Sequence, residues 1–226
     1  KFFLMKKMLY FWLCMLYLLS TATGQNPVWT LPKKYFNGTQ LIDLPTNSSS
    51  GGYNGQPAYF TSNMIADEVD TIRFFIVDEN VYTRQGQLIG GMYCNGMDAT
   101  GAQEVCVIPD PSNCNRYYIF SAIKITNPDE KWLPTYSLLD LSTPQLTNYP
   151  SGTAQDIIST YNLQTSWGFT GSNYVATRPG YAATRMQTDG SYRLFMHDGV
   201  RTIYKFKITA NGVVYDGISG FLPANT

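Results

Sequence analysis

Any chemistry performed by this chain has to come from a short roster of side chains. It has one histidine, His197, followed by Asp198-Gly199. A serine or cysteine nucleophile needs a histidine base within hydrogen-bond reach, and a histidine beside an Asp-Gly turn reads instead as a surface residue at a strand end. One histidine also excludes multi-histidine zinc centres. The carboxylates Asp67, Glu68, Asp78, Glu79, Asp110, Asp129 and Glu130 are of the type that hydrolyses glycosides in pairs. All lie next to turns, where Asp caps the local backbone. Asn127, Asp129 and Glu130 offer oxygen ligands without the loop spacing of a calcium site. No Gly-rich phosphate loop opens a helix. The residues assign no catalytic group, no metal ligand and no cofactor.

Cysteine usage adds a structural reading. Cys14 lies in an apolar N-terminal run, which leaves Cys94, Cys106 and Cys114. The intervals of 11 and 7 residues between them lack the close Cys-x-x-Cys pairs of structural zinc sites. Cys106 falls in the apolar run Val105 to Ile108 and is expected to be a buried, inert thiol. Cys94 and Cys114 both fall in loops and form the expected disulfide, which an oxidising compartment permits. Asn37-Gly38-Thr39 and Asn47-Ser48-Ser49 match the glycosylation acceptor pattern. Asn47 to Gly55, rich in Ser and Gly, reads as a flexible loop.

The elements that must carry these residues are strands. An arginine, two bulky apolar residues and an aliphatic one recur as Arg73-Phe74-Phe75-Ile76, Arg116-Tyr117-Tyr118-Ile119 and Arg193-Leu194-Phe195-Met196. The arginines lie 43 and 77 residues apart, the second interval close to twice a unit of about 38 residues. A strand-built period of this size is the mark of a β-propeller blade. Ile203 to Ile208 alternates apolar and polar residues, as a half-buried strand does. Asn211-Gly212 then offers the positive φ values of a two-residue hairpin turn. Phe74 to Val77 and Tyr117 to Phe120 are apolar without alternation, which suits strands covered on both faces. The three copies predict equivalent buried positions for Phe75, Tyr118 and Phe195. A long loop is expected from Lys124 to Thr135, and a further blade between Pro144 and Pro179. The expected fold is all-β, with propeller-like antiparallel blades amounting to an incomplete set of three to four. A pair of β-sandwich domains is the alternative, since short strands and frequent turns serve both.

Residues 1–24 read as upstream residues plus a secretory signal, and 25–226 as a partial propeller domain. Lys6 and Lys7 precede an apolar core from Leu9 to Leu19, too short to span a bilayer. Ala22 and Gly24 place small residues where a signal peptidase needs them, so cleavage is expected before Gln25. The whole chain balances 16 basic against 16 acidic residues. Three of the basic ones, Lys1, Lys6 and Lys7, leave with the signal, so the mature surface is mildly acidic. Nucleic acid is therefore not an expected partner. Nor is a stable membrane span expected after cleavage.

Certain segments resemble a known family. Gln25-Asn26-Pro27-Val28-Trp29, Gly52 to Ala58, Phe74 to Asp78, Val107 to Cys114 and Leu139-Asp140-Leu141 are similar to the mature start of large secreted Bacteroidetes proteins. That family implies an N-terminal β-propeller followed by adhesion-type domains and a type IX secretion or gliding-motility-associated sorting domain. No sorting domain is in view before Thr226, which predicts a partial chain. The resemblance implies a secreted or cell-surface protein with an unknown extracellular glycan or protein as partner. On this reading the chain is a non-catalytic binding module, with contacts expected from exposed rings at Tyr53, Tyr59, Tyr93 and Trp132. The alternatives are a secreted propeller-type polysaccharide hydrolase or lyase, and a structural spacer in a larger adhesin.

Overall fold

The computed structural model describes residues 29–31, 33–36, 39–59, 61–67, 71–92, 105–125, 131–149, 179–198 and 202–221. Among these the fold is all-β, with every strand pair antiparallel and no helix. The first sheet holds β1 (Trp29–Leu31), β2 (Lys34–Phe36) and β3 (Leu41–Asp43). The second holds β4 (Ser62–Ala66), β5 (Ile72–Val77), β6 (Asn80–Thr83) and β7 (Leu88–Gly91). The third holds β8 (Cys106–Asp110), β9 (Asn113–Ile125), β10 (Lys131–Asp140) and β11 (Gln145–Tyr149). The fourth holds β12 (Gly180–Ala183), β13 (Tyr192–His197), β14 (Thr202–Thr209) and β15 (Gly212–Phe221). Each sheet is a meander in which sequence neighbours are also hydrogen-bonded neighbours. The signal segment 1–24 and most of the stretch between Pro144 and Pro179 lie outside the described residues. What is described of that stretch, β11, completes the third sheet rather than opening a new one.

The sheets stack face to face in chain order, with a separate apolar core in each gap. Between the first and second, Leu44, Tyr53, Met64, Phe75, Val77 and Tyr82 pack with Tyr35. Between the second and third lie Phe74, Ile76, Val81, Tyr117, Ile119 and Leu139. Between the third and fourth lie Ile108, Tyr118, Phe120, Leu194, Met196, Phe206 and Ile208. The non-alternating runs in β5 and β9 thus have the expected cause: successive residues serve opposite cores. The alternation in β14 matches as well, with Phe206 and Ile208 buried and Lys205 and Lys207 on the opposite face. First strands touch in two gaps, β1 with β4 and β8 with β12, and last strands touch in the third, β7 with β11.

The Arg-led repeat is real as strand chemistry but not in register. Tyr117 and Leu194 both face the preceding sheet, whereas Phe74 faces the following one. A bulge causes the offset. Ile65 pairs with Phe74 and Ala66 with Ile72, so Arg73 is the extra residue on β5. The expected equivalence therefore fails: Phe75 and Tyr118 serve opposite faces, and Phe195 is only half-buried. The bulged Arg73 instead clamps the next sheet. Its Nη1 donates to Cys114 O (2.8 Å) and Tyr117 Oη (2.7 Å), and its Nη2 donates to Asn115 Oδ1 (2.8 Å).

Loop chemistry corrects further expectations. The loop expected from Lys124 to Thr135 is mostly strand, because β9 runs to Ile125 and β10 starts at Lys131. Pro134 lies inside β10 opposite Ala122 of β9, in the part of the strand that precedes the described pairing with β11 from Tyr136 onward. The last hairpin turns on Ala210-Asn211, and Gly212 (φ 110°) begins β15 one residue earlier than expected. The Ser- and Gly-rich loop after Asn47 is tied down rather than free. Asn47 Nδ2 donates to Gln85 O (3.1 Å), Tyr53 N to Gly86 O (2.8 Å) and Tyr53 Oη to Gln56 O (2.7 Å). Gly86 (φ 76°) permits this closure, since a Cβ there would stand 2.3 Å from Pro45 O.

Phe74 and Phe195 hold different stations in the repeat, and that difference is measurable. Phe74 is fully buried edge-on to Tyr117, so Phe74→Ala is expected to cost about 3–5 kcal/mol in denaturant unfolding. Phe195→Ala is expected to cost less than half as much. Equal losses would contradict the offset register.

Candidate functional site

The four rings expected to be exposed contacts separate in the structure. Tyr53 (2% exposed) packs on Phe75 and Tyr82, and Trp132 (4%) lies in the core between the third and fourth sheets. Packing, not solvent contact, is the role of both, because each is carried on backbone that faces a core. Of the three described, Tyr59 alone is exposed, at 82%, with its N–H donating to the Asp78 carboxylate. Tyr93 lies outside the described residues, and so does Cys94, the expected partner of the exposed Cys114. Cys106 is half-buried against the core, and burial pushes its thiol up to about 11.

Among the described residues the turn aspartates are occupied structurally, while Glu68, Asn127, Asp129 and Glu130 lie outside the described residues. Asp67 and Asp198 each accept the N–H four residues on, from Thr71 (2.9 Å) and Thr202 (3.0 Å). Asp110, Asp140 and Asp189 each accept, through Oδ1, both the N–H and the hydroxyl of the serine two places later: Ser112, Ser142 and Ser191. Asp78 accepts the N–H groups of Tyr59 and Thr61. Bonds from Ser142 and Arg116 hold the Asp140 carboxyl down to about 2. Ser191, then Lys207, holds that of Asp189 well below the usual carboxylate range. Groups kept ionised in this way are poor proton donors near neutral pH. Among the described residues, no group of three His, Cys, Asp or Glu side chains is placed to hold a metal.

A concave site does form where the third and fourth sheets diverge. Its walls are Tyr118 on β9, Tyr136 and Leu138 on β10 and Tyr149 on β11, with Asp110 and Arg116 at one side. The hairpin tip Ala210-Asn211-Gly212 closes it from the fourth sheet. The volume is about 300 Å³. Register explains the wall: Tyr118 pairs with Leu138 and Tyr136 with Tyr149, so these side chains share one face of the sheet. Tyr136 and Tyr149 stack with ring centroids 4.9 Å apart, and Tyr118 lies 6.0 Å from Tyr136. Arg116 Nε donates to Asp140 Oδ2 (2.9 Å), fixing the guanidinium beside the tyrosines. Burial, reinforced by Tyr149 and Tyr118, pushes the Tyr136 phenol up to about 12. The sequence reading missed this cleft, although Tyr118, Tyr136 and Tyr149 at in-register strand positions were its available signal.

The opposite face of the fourth sheet is different in kind. Lys207 and Arg193 reach Asp189 (2.9 and 3.4 Å), and Lys205 and Arg193 reach Asp216 (3.3 and 3.8 Å). These partly exposed pairs form a charged ladder of modest energetic value. His197 stands exposed at the end of β13. No helix among the described residues is long and apolar enough to cross a membrane.

No protein-family model matches this chain, and no curated protein or solved structure matches it either.

A phenol whose folded pKa is raised stays neutral while the unfolded chain ionises, so stability falls as pH climbs from about 10 to about 12. Tyr136→Phe is expected to flatten that decline in melting temperature. An unchanged alkaline slope would contradict the burial of this phenol.

Proposed function

We propose that this chain is a non-catalytic binding module of β-propeller type, secreted or displayed at the cell surface, with a glycan or protein as ligand. The observation that carries the reading is the organisation of the second to fourth sheets. Each is a four-stranded meander made from one stretch of chain, and each packs its face on the next. Radial repetition of such sheets is how propellers protect their edges. A β-sandwich exchanges strands between sheets through Greek-key connections, and no strand pairing among the described residues links one meander to another. Binding without turnover is supported by the commitment of Asp78, Asp110, Asp140 and Asp189 to backbone and hydroxyl donors. Export is supported by the charged, apolar and small-residue segments preceding Gln25, and by the resemblance to secreted Bacteroidetes proteins.

The full chain, expressed with its leader and a C-terminal tag, can be recovered from medium or cell surface and applied to immobilised polysaccharides and extracellular proteins. Retention without release of reducing ends or unsaturated products is expected. Release that vanishes when one turn carboxylate is replaced would substitute a hydrolase or lyase for the module. Retention on nothing would leave a spacer.

A further inference from the structure

We infer that the cleft between the third and fourth sheets binds a single neutral pyranose ring, an assignment that rests on the binding-module reading and narrows it. The cleft holds the two kinds of surface such a ring needs. Tyr149, backed by the stacked ring of Tyr136, offers an aromatic surface to the apolar C–H side of a sugar. Asp110, Arg116 and Asn211 supply acceptors and donors for its hydroxyls. Asp110 is the telling residue. It is only 6% exposed, yet it lines the cleft. Its Oδ1 takes both bonds from Ser112, and its Oδ2 has no partner among the described residues. A buried carboxylate at the wall of a cavity is costly unless donors meet both of its oxygens, and a sugar hydroxyl is such a donor.

Charge decides against an acidic ligand. Arg116 is already neutralised by Asp140, and Asp110 adds a negative charge, so the cleft has no net positive field for a phosphate or uronate. Size decides against a long chain, because about 300 Å³ is at the lower end for ligand pockets. One ring, with its neighbours running out to solvent, is what fits.

The test uses methyl glycosides of glucose, galactose, mannose and N-acetylglucosamine, with glucuronate for comparison, measured on the full chain by saturation-transfer NMR and calorimetry. At least one neutral glycoside is expected to bind, with glucuronate weaker. Asp110→Asn keeps an oxygen for Ser112 while removing the charge, and is expected to weaken binding about tenfold. Ala210→Trp, at the exposed hairpin tip, is expected to fill the cleft and abolish binding with the melting temperature unchanged. Binding that survives both substitutions, or that prefers glucuronate, overturns the site but leaves the module reading standing. If no neutral glycoside binds while a protein or polysaccharide surface still retains the chain, the site again falls alone. Retention on neither removes both.

Discussion

The fold depends on β5 and β9 burying both of their faces. An isolated antiparallel sheet can leave one side to water, but Phe74 and Phe75 point into different cores, as do Tyr117 and Tyr118. Neither strand can satisfy its sequence unless a sheet lies on each side. That requirement orders the stack, because each sheet supplies the cover its neighbour lacks. It also makes the stack sensitive at its middle: loss of the third sheet would bare two cores at once, where loss of an outer sheet bares one.

Much of this is legible in the amino-acid sequence. Apolar runs without alternation named the doubly covered strands, and alternation in Ile203 to Ile208 named the half-covered one. What escaped was register. A single extra residue, Arg73, shifts the faces of β5 relative to β9 and β13, and no composition rule distinguishes a bulged arginine from a paired one. Burial of rings escaped for a related reason. Tyr53 sits in a stretch whose Ser and Gly content reads as loose, and only the closure of that stretch over Gly86 makes it core. Trp132 falls where a loop is expected, because Leu133-Pro134 reads as a strand break, yet β10 carries Pro134 within its pairing to β9.

The same residues explain where a ligand can enter. Of the carboxylates of catalytic type, Asp67 and Asp78 accept backbone N–H groups and Asp110 is absorbed by an Asp-x-Ser turn, a pattern shared by Asp140 and Asp189. The exposed face of the fourth sheet is filled by a charged ladder. Among the described residues a cleft opens where sheets three and four part, and its tyrosines come from three adjacent strands held in register. The cleft is thus a by-product of stacking.

Hydrogen exchange followed by mass spectrometry tests the central claim most directly. If double-sided burial of β5 and β9 organises the molecule, their amides will be the slowest to exchange, and β15 and the first sheet will exchange earlier. Amides of β9 exchanging as fast as those of β15 would contradict the stack as described.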